Sequence, residues 1–314
     1  MQAPTILFMG TPDFAVPSLQ TLIEQRLPLL AVVTQPDRPG GRGRRLMPPP
    51  VKTLAEQHGL PVLQPERIRD EPFLKLFRDL APELVVVVAF GQILPGEMIH
   101  RPRHGCINVH PSLLPKYRGA APIQWSLIRG EETTGMTIMQ MDEGVDSGDI
   151  LLQERVPIGP EEDCGSLHDR LAILGADMLF QTVTMIADQS IRPVKQDHSR
   201  ATFAPRIRKE DCLIDWNRPV RDVLSLIRAL SPNPGAYTFL DGKKLKLYNA
   251  RGEEASHIPQ PGTFFELPDG RPAVTAGNGL IFPQDIQMEN KNRMSIQDFI
   301  RGYRIAPGTV CGPP

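Results

Sequence analysis

Leu84-Val85-Val86-Val87-Val88-Ala89-Phe90 is seven apolar residues in a row, four of them consecutive valines. A strand with one wet face alternates apolar and polar side chains, whereas an unbroken β-branched run belongs to a strand covered on both faces. Strands of that kind sit in parallel sheets between helical layers, so this stretch alone predicts an α/β domain. The chain on either side agrees. Upstream, Thr5-Ile6-Leu7-Phe8-Met9 is a second buried-strand run that stops at Gly10. Residues 13–26 then place Phe14, Val16, Leu19, Leu22 and Ile23 at helical spacing, with Pro17 acceptable only in the first turn. Residues 29–33 read as a strand, 52–58 and 73–80 as helices. Downstream, 106–109 is a short strand, and 135–141 and 150–157 alternate like an outer pair. The alternation predicts a Rossmann-like, doubly wound, mainly parallel α/β sheet. Ligands of such sheets bind beyond the carboxyl ends of the strands, which places the residues after Met9, Thr34, Phe90 and Val109 around one crevice.

Further along, residues 165–189 form a long predicted helix that could close a first domain. The polar segment 190–208, with Pro193 and Pro205, reads as a linker. After a helix at 220–230, short strand-like pieces recur at 236–240, 244–250, 262–266, 273–276 and 279–282, separated by Gly and Pro. Such spacing predicts a small β-barrel. The expected organisation is a first domain over 1–189, a linker over 190–208 and a second domain over 209–314. The 314 residues suit about two domains.

Cys106, Cys164, Cys212 and Cys311 are scattered and form no CxxC pair or metal-type cluster. Reduced thiols, no disulfide framework and no metal are expected. No apolar run nears the ~18 residues of a membrane span, and the N-terminus lacks the pattern of a signal peptide. A cytoplasmic protein that does not engage a membrane is therefore expected, with a monomer preferred. Net charge is −1. From Arg206 onward 15 Lys+Arg face 12 Asp+Glu, a balance of +3, and the rest of the chain carries −4. The first strand leads into Gly10-Thr11-Pro12-Asp13 rather than GxGxxG, and no GxxxxGK[ST] occurs, so a nicotinamide cofactor is not expected.

The richest chemistry lies between Cys106 and Asp149. Asn108 and His110 are two apart on a strand and so face the same side. Met141-Asp142-Glu143-Gly144-Val145-Asp146-Ser147-Gly148-Asp149 is an acidic loop between two strands. Acyl-type transfer to an amine needs a donor for the developing oxyanion, a proton-handling group near neutral pH, and a carboxylate to hold it. Asn108, His110 and Asp146 supply those types. The same residues also suit a structural histidine, a strand-end asparagine and a loop aspartate, and spacing alone does not choose. Arg38, Arg42, Arg44 and Arg45 stand on a Gly/Pro loop after a strand. That loop fits phosphate backbones and base edges, or simply solvent. No serine or cysteine occupies a nucleophile elbow, which favours direct transfer.

Ile107-Asn108-Val109-His110-Pro111-Ser112-Leu113-Leu114-Pro115-Lys116-Tyr117-Arg118-Gly119-Ala120-Ala121-Pro122-Ile123-Gln124-Trp125, with the acidic loop above, closely resembles the folate-dependent formyltransferases. FMGTPDFAVPSL (8–19) and TQPDRPGGRGRRLMPPPVK (34–52) resemble the branch acting on methionyl-tRNA. The resemblance implies 10-formyltetrahydrofolate as formyl donor and initiator methionyl-tRNA as acceptor. It implies Asn108, His110 and Asp146 as the catalytic trio. It assigns Ser112, Leu113, Leu114 and Pro115 to tetrahydrofolate binding, with Phe90, Gly91, Gln92, Ile93 and Leu94 as a wall of the pterin pocket. Arg38, Arg42, Arg44 and Arg45 match a tRNA-binding loop, and the second domain matches an OB-like barrel touching tRNA. Rival readings are a formyltransferase acting on a small amine, a formyltetrahydrofolate hydrolase, and a non-catalytic RNA-binding module.

Overall fold

The computed structural model describes residues 3–40, 45–306 and 308–312. The chain divides into two compact units whose segments interleave along the sequence. The first comprises Met1–Gly119, Thr133–Pro157 and His168–Phe203, the second Ala120–Glu132, Ile158–Leu167 and Ala204–Pro314.

The strands of the first unit are β1 (Ile6–Gly10), β2 (Leu29–Val33), β3 (Arg38–Gly40), β4 (Arg45–Met47), β5 (Val62–Leu63), β6 (Leu84–Val88), β7 (Cys106–His110), β8 (Thr133–Gln140) and β9 (Ile150–Pro157). Seven form one sheet in the order β5-β2-β1-β6-β7-β8-β9. The first five are parallel, and β8 and β9 join antiparallel. The valine run is β6, at the centre, with all five residues buried. Its neighbours hold it in register, Phe8 opposite Val86 and Val86 opposite Ile107. Helices α1 (Val16–Glu24), α2 (Pro50–Gln57), α3 (Glu71–Leu80) and α4 (Gly96–His100) punctuate the parallel part, and Pro17 does lie in the first turn of α1. The mainly parallel α/β sheet expected from the sequence is present. Four short elements of this unit, β3, β4, β5 and α4, were not foreseen, because two to five residues carry too little periodicity to read.

After α5 (Pro122–Ile128), which belongs to the second unit, comes α6 (Cys164–Ala187). Among the described residues α6 is the single helix long and apolar enough to cross a membrane. This corrects the expectation that no segment reaches that length: residues such as Asp177 break the apolar run in sequence while most of the helix remains apolar. Burial explains the composition. Leu171, Met178, Leu179, Val183 and Ile186 are buried. At Gly175 the helix comes so close that a Cβ would stand 2.9 Å from both Val109 Cγ1 and Met136 Cε.

The second unit contains α5, α7 (Val220–Ala229), strands β10 (Ala236–Leu240), β11 (Lys243–Glu254), β12 (Phe264–Glu266), β13 (Pro272–Ala276), β14 (Gly279–Met288) and β15 (Met294–Ser295), and α8 (Ile296–Gly302). The antiparallel sheet runs β10-β11-β14-β13-β12, with β15 beside β14. β11 and β14 are longer than expected, since their outer halves carry polar residues on a wet face, as antiparallel strands allow. The chain end closes the gap between the two edge strands. Phe264 N–H donates to Thr309 O (2.8 Å), Cys311 N–H to Gly262 O (2.7 Å), and Gly312 N–H to Phe239 O (3.0 Å). The expected small β-domain is thus present, and the uncharged tail spans its two edges.

Candidate active site

β7 ends with Asn108 half-buried and His110 4 % exposed. The antiparallel partner β8 sets Asn108 opposite Met139 and His110 opposite Thr137, so β8 ends beside the start of β7 and the loop after it runs back along β7 to reach Asn108 and His110. That loop delivers Asp146. Asn108 Nδ2 donates to Asp146 Oδ1 at 3.4 Å, and Asp146 Oδ2 lies 3.7 Å from His110 Nδ1. Asp146 adopts φ +47°, a left-handed conformation that aspartate tolerates better than most residues. Its Oδ2 also accepts from Gly119 N–H at 2.8 Å. The three residues singled out from the sequence therefore converge.

His110 is tightly specified. Its Nε2 is 3.0 Å from Tyr117 O, and a carbonyl can only accept, so Nε2 carries the proton of that bond. The remaining nitrogen, Nδ1, is the one that faces the carboxylate. A proton received there is met by negative charge. Asn108 has two N–H groups on Nδ2, and the Asp146 bond uses one, which leaves a donor for a substrate oxygen. Cys106, at the start of β7, is buried, and burial pushes its thiol far up, so no thiolate nucleophile competes.

The turn after His110 is built on β8. Thr137 Oγ1 donates to Ser112 O (2.6 Å) and accepts from Leu114 N–H (3.3 Å); Gln153 Nε2 donates to Leu114 O (3.0 Å). Ser112 and Leu114 are buried, Leu113 and Pro115 half-buried. The stretch can thus offer a ligand the edges of Leu113 and Pro115 and its backbone. In the segment after β6, Phe90 and Leu94 are buried in the apolar core, Gly91 has φ +88°, and Ile93 is 77 % exposed. Gln92 is committed to that segment: its Oε1 accepts from Ile68 N–H at 3.1 Å.

A crevice of about 510 Å³ opens beyond β1, β2 and β6, lined by Thr11, Gln35, Arg38, Met47, Phe90 and Gly91 among others. Three of the four strand ends expected around one crevice therefore line it. His110, after Val109, does not, because the 112–119 turn folds over the end of β7 and His110 turns to Tyr117. Arg38 and Met47 on its rim belong to the arginine segment, which is a hairpin and not an irregular loop: Arg38 pairs with Met47 and Gly40 with Arg45. Arg42 and Arg44 fall at 41–44, outside the described residues, and Arg45 is placed by its backbone alone. Asp37 anchors the hairpin base, accepting from Lys52 Nζ (2.8 Å) and Gln64 Nε2 (2.7 Å). These bonds, Gln64's first, hold its carboxyl below the usual range.

Sequence reasoning missed Gln196 and the role of Arg118. Both are buried, and both reach the Asp146 loop or its neighbours. Neither belongs to a pattern with a chemical meaning of its own.

Residues 5–183 match the formyl transferase family and residues 206–304 the formyl transferase C-terminal domain. A methionyl-tRNA formyltransferase of Syntrophus aciditrophicus is 54 % identical over 98 % of this chain and 99 % of its own. That of Geobacter metallireducens is 49 % identical over 99 % of this chain and all of its own. Among solved structures, HypX from Aquifex aeolicus in complex with tetrahydrofolic acid shares the fold, with TM-score 0.65 and 17 % identity. The alignment covers 98 % of this chain and 49 % of HypX, so the chain spans about half of that protein.

Proposed function

Because the chain belongs to the methionyl-tRNA formyltransferase family, we propose that it moves the formyl group of 10-formyltetrahydrofolate onto the amino group of methionine carried by initiator tRNA. The observation that carries the residue-level reading is the convergence of Asn108, His110 and Asp146. The free amine attacks the formyl carbon, a C–N bond forms, and the formyl oxygen becomes an oxyanion. Asn108 donates its second N–H to that oxygen, an interaction worth ~3 kcal/mol in comparable sites. Collapse breaks the bond between the formyl carbon and N10, and N10 takes up the proton lost by the attacking nitrogen. His110 Nδ1, backed by Asp146, holds positive charge beside the site while this happens.

Ser112, Leu113, Leu114 and Pro115 on one side and Phe90, Gly91, Gln92, Ile93 and Leu94 on the other are assigned to the folate. The fit rests on Ile93, an exposed aliphatic surface for a flat ring, and on the half-buried Leu113. Arg38, Arg42, Arg44 and Arg45 are assigned to the tRNA, as is the OB-like second domain. The division into a catalytic part (1–189), a connecting segment (190–208) and a tRNA-binding part (209–314) belongs to the same reading. Free, buried cysteines fit the cytoplasm, and among the described residues the exposed large apolar side chains, apart from the neighbours Leu46 and Met47, are scattered singly along the chain, which fits a monomer. A small-amine formyltransferase would have no use for the arginine hairpin.

The test is direct. Purified protein, 10-formyltetrahydrofolate and charged initiator tRNA should give formylmethionyl-tRNA. Folate breakdown at the same rate without tRNA would instead identify a hydrolase, and formylation of a small amine but not of the tRNA would identify the other rival.

A further inference from the structure

We propose that Gln196 is a positioning residue for formyl transfer, holding Asp146 and its backbone donor in place without touching substrate; the proposal rests on the Asn108–His110–Asp146 reading. Gln196 lies in the polar 190–208 segment, yet it is 5 % exposed. Its Nε2 donates to Asp146 O (3.0 Å) and Gly148 O (2.7 Å), clamping the loop on both sides of Ser147. Its Oε1 accepts from Arg118 Nε (3.2 Å) and Nη2 (2.7 Å). Arg118 is itself 6 % exposed, and its Nη2 also reaches His198 Nδ1 at 3.0 Å.

One amide thus fixes both ends of a single catalytic contact. Asp146 Oδ2 accepts from Gly119 N–H, and Gly119 directly follows Arg118. Gln196 holds the Asp146 main chain with its nitrogen and the residue before Gly119 with its oxygen. The left-handed backbone of Asp146 needs such restraint, since it costs energy in a free chain. The geometry also specifies the residue type. Two carbonyls require a donor and a guanidinium requires an acceptor, and only an uncharged amide supplies both from one side chain of this length. A carboxylate at 196 would keep the Arg118 half and set an acceptor against two carbonyls.

Gln196→Ala and Gln196→Glu, each alone and combined with Asp146→Asn, test this in formylation of charged initiator tRNA. Both Gln196 variants should lose about 10²-fold in kcat, the cost of an ångström-scale misplacement, with KM for folate and tRNA little changed. In the Asp146→Asn background each should cost less than about twofold, since residues that act through one another are not additive. Gln196→Glu retains a partner for Arg118 and reports on function should the alanine variant not fold. A folded Gln196→Glu enzyme at the parent rate overturns the proposal, as does a full, additive loss in the Asp146→Asn background. An Asp146→Asn enzyme at the parent rate overturns the active-site reading itself, an outcome distinct from either.

Discussion

Replacing Asp146 with asparagine keeps the size of the side chain and removes its charge. Three interactions meet at that carboxylate: Gly119 N–H at 2.8 Å, Asn108 Nδ2 at 3.4 Å and His110 Nδ1 at 3.7 Å. An asparagine has one oxygen to offer. Whichever way it turns, an N–H is set against Asn108 Nδ2 or against Gly119 N–H. The larger loss is electrostatic. Asp146 and His110 are 18 % and 5 % exposed at their side chains, so solvent screens the pair only partly. Two unit charges near 4 Å at an effective dielectric of about 20 interact by ~4 kcal/mol, which sets the scale of what the carboxylate contributes once His110 carries a second proton. At 1.36 kcal/mol per decade that is about 10³-fold in kcat. Single-turnover formylation with saturating folate and charged tRNA isolates the step. KM for folate should stay near the parent value, because Asp146 is assigned to the transition state and not to ground-state binding. A folded Asp146→Asn protein that keeps more than a tenth of parental turnover would refute the reasoning.

Asp37→Ala frees the base of the arginine hairpin from Lys52 and Gln64 and should raise KM for charged tRNA about threefold while leaving KM for folate unchanged. Because the Asp37 carboxyl is held below its ordinary range, its bonds persist above about pH 4 and are lost as pH falls through the lowered value, so tRNA titrations at pH 6 and 8 should agree as far as this anchor is concerned. All four cysteines are buried, and burial pushes the Cys164 and Cys311 thiols to about 12 and raises Cys106 and Cys212, so a thiol reagent at pH 8 should find none in the native protein and four after denaturation. Rapid native labelling would contradict the packing. Gly175→Ala should cost ~1–3 kcal/mol in urea unfolding, because its new methyl meets Val109 Cγ1 and Met136 Cε at 2.9 Å. Since Val109 stands between Asn108 and His110, turnover should fall with it.

The parts of this molecule that were legible in the sequence are those in which hydrophobicity carries a period. The valines of β6 announced a two-sided sheet, and Asn108 and His110 were legible as a pair because a strand repeats every two residues. Asp146 lies 36 residues beyond His110 and meets it through the register of β7 and β8, which no local pattern states. The polar half of β14 and the uncharged tail failed to register for a related reason: their contribution lies in backbone hydrogen bonds, to which side-chain composition is blind. Gln196 is the sharpest case. A glutamine between prolines counts as surface on any hydropathy scale, and the segment 190–208 reads as a tether. Yet its amide is buried and hydrogen-bonded at both ends. Burial of a polar group is favourable only when its partners are in place, so such a residue becomes interpretable once those partners are known. The same condition makes it informative: a buried amide with four satisfied contacts around the Asp146 loop is placed to hold that loop still.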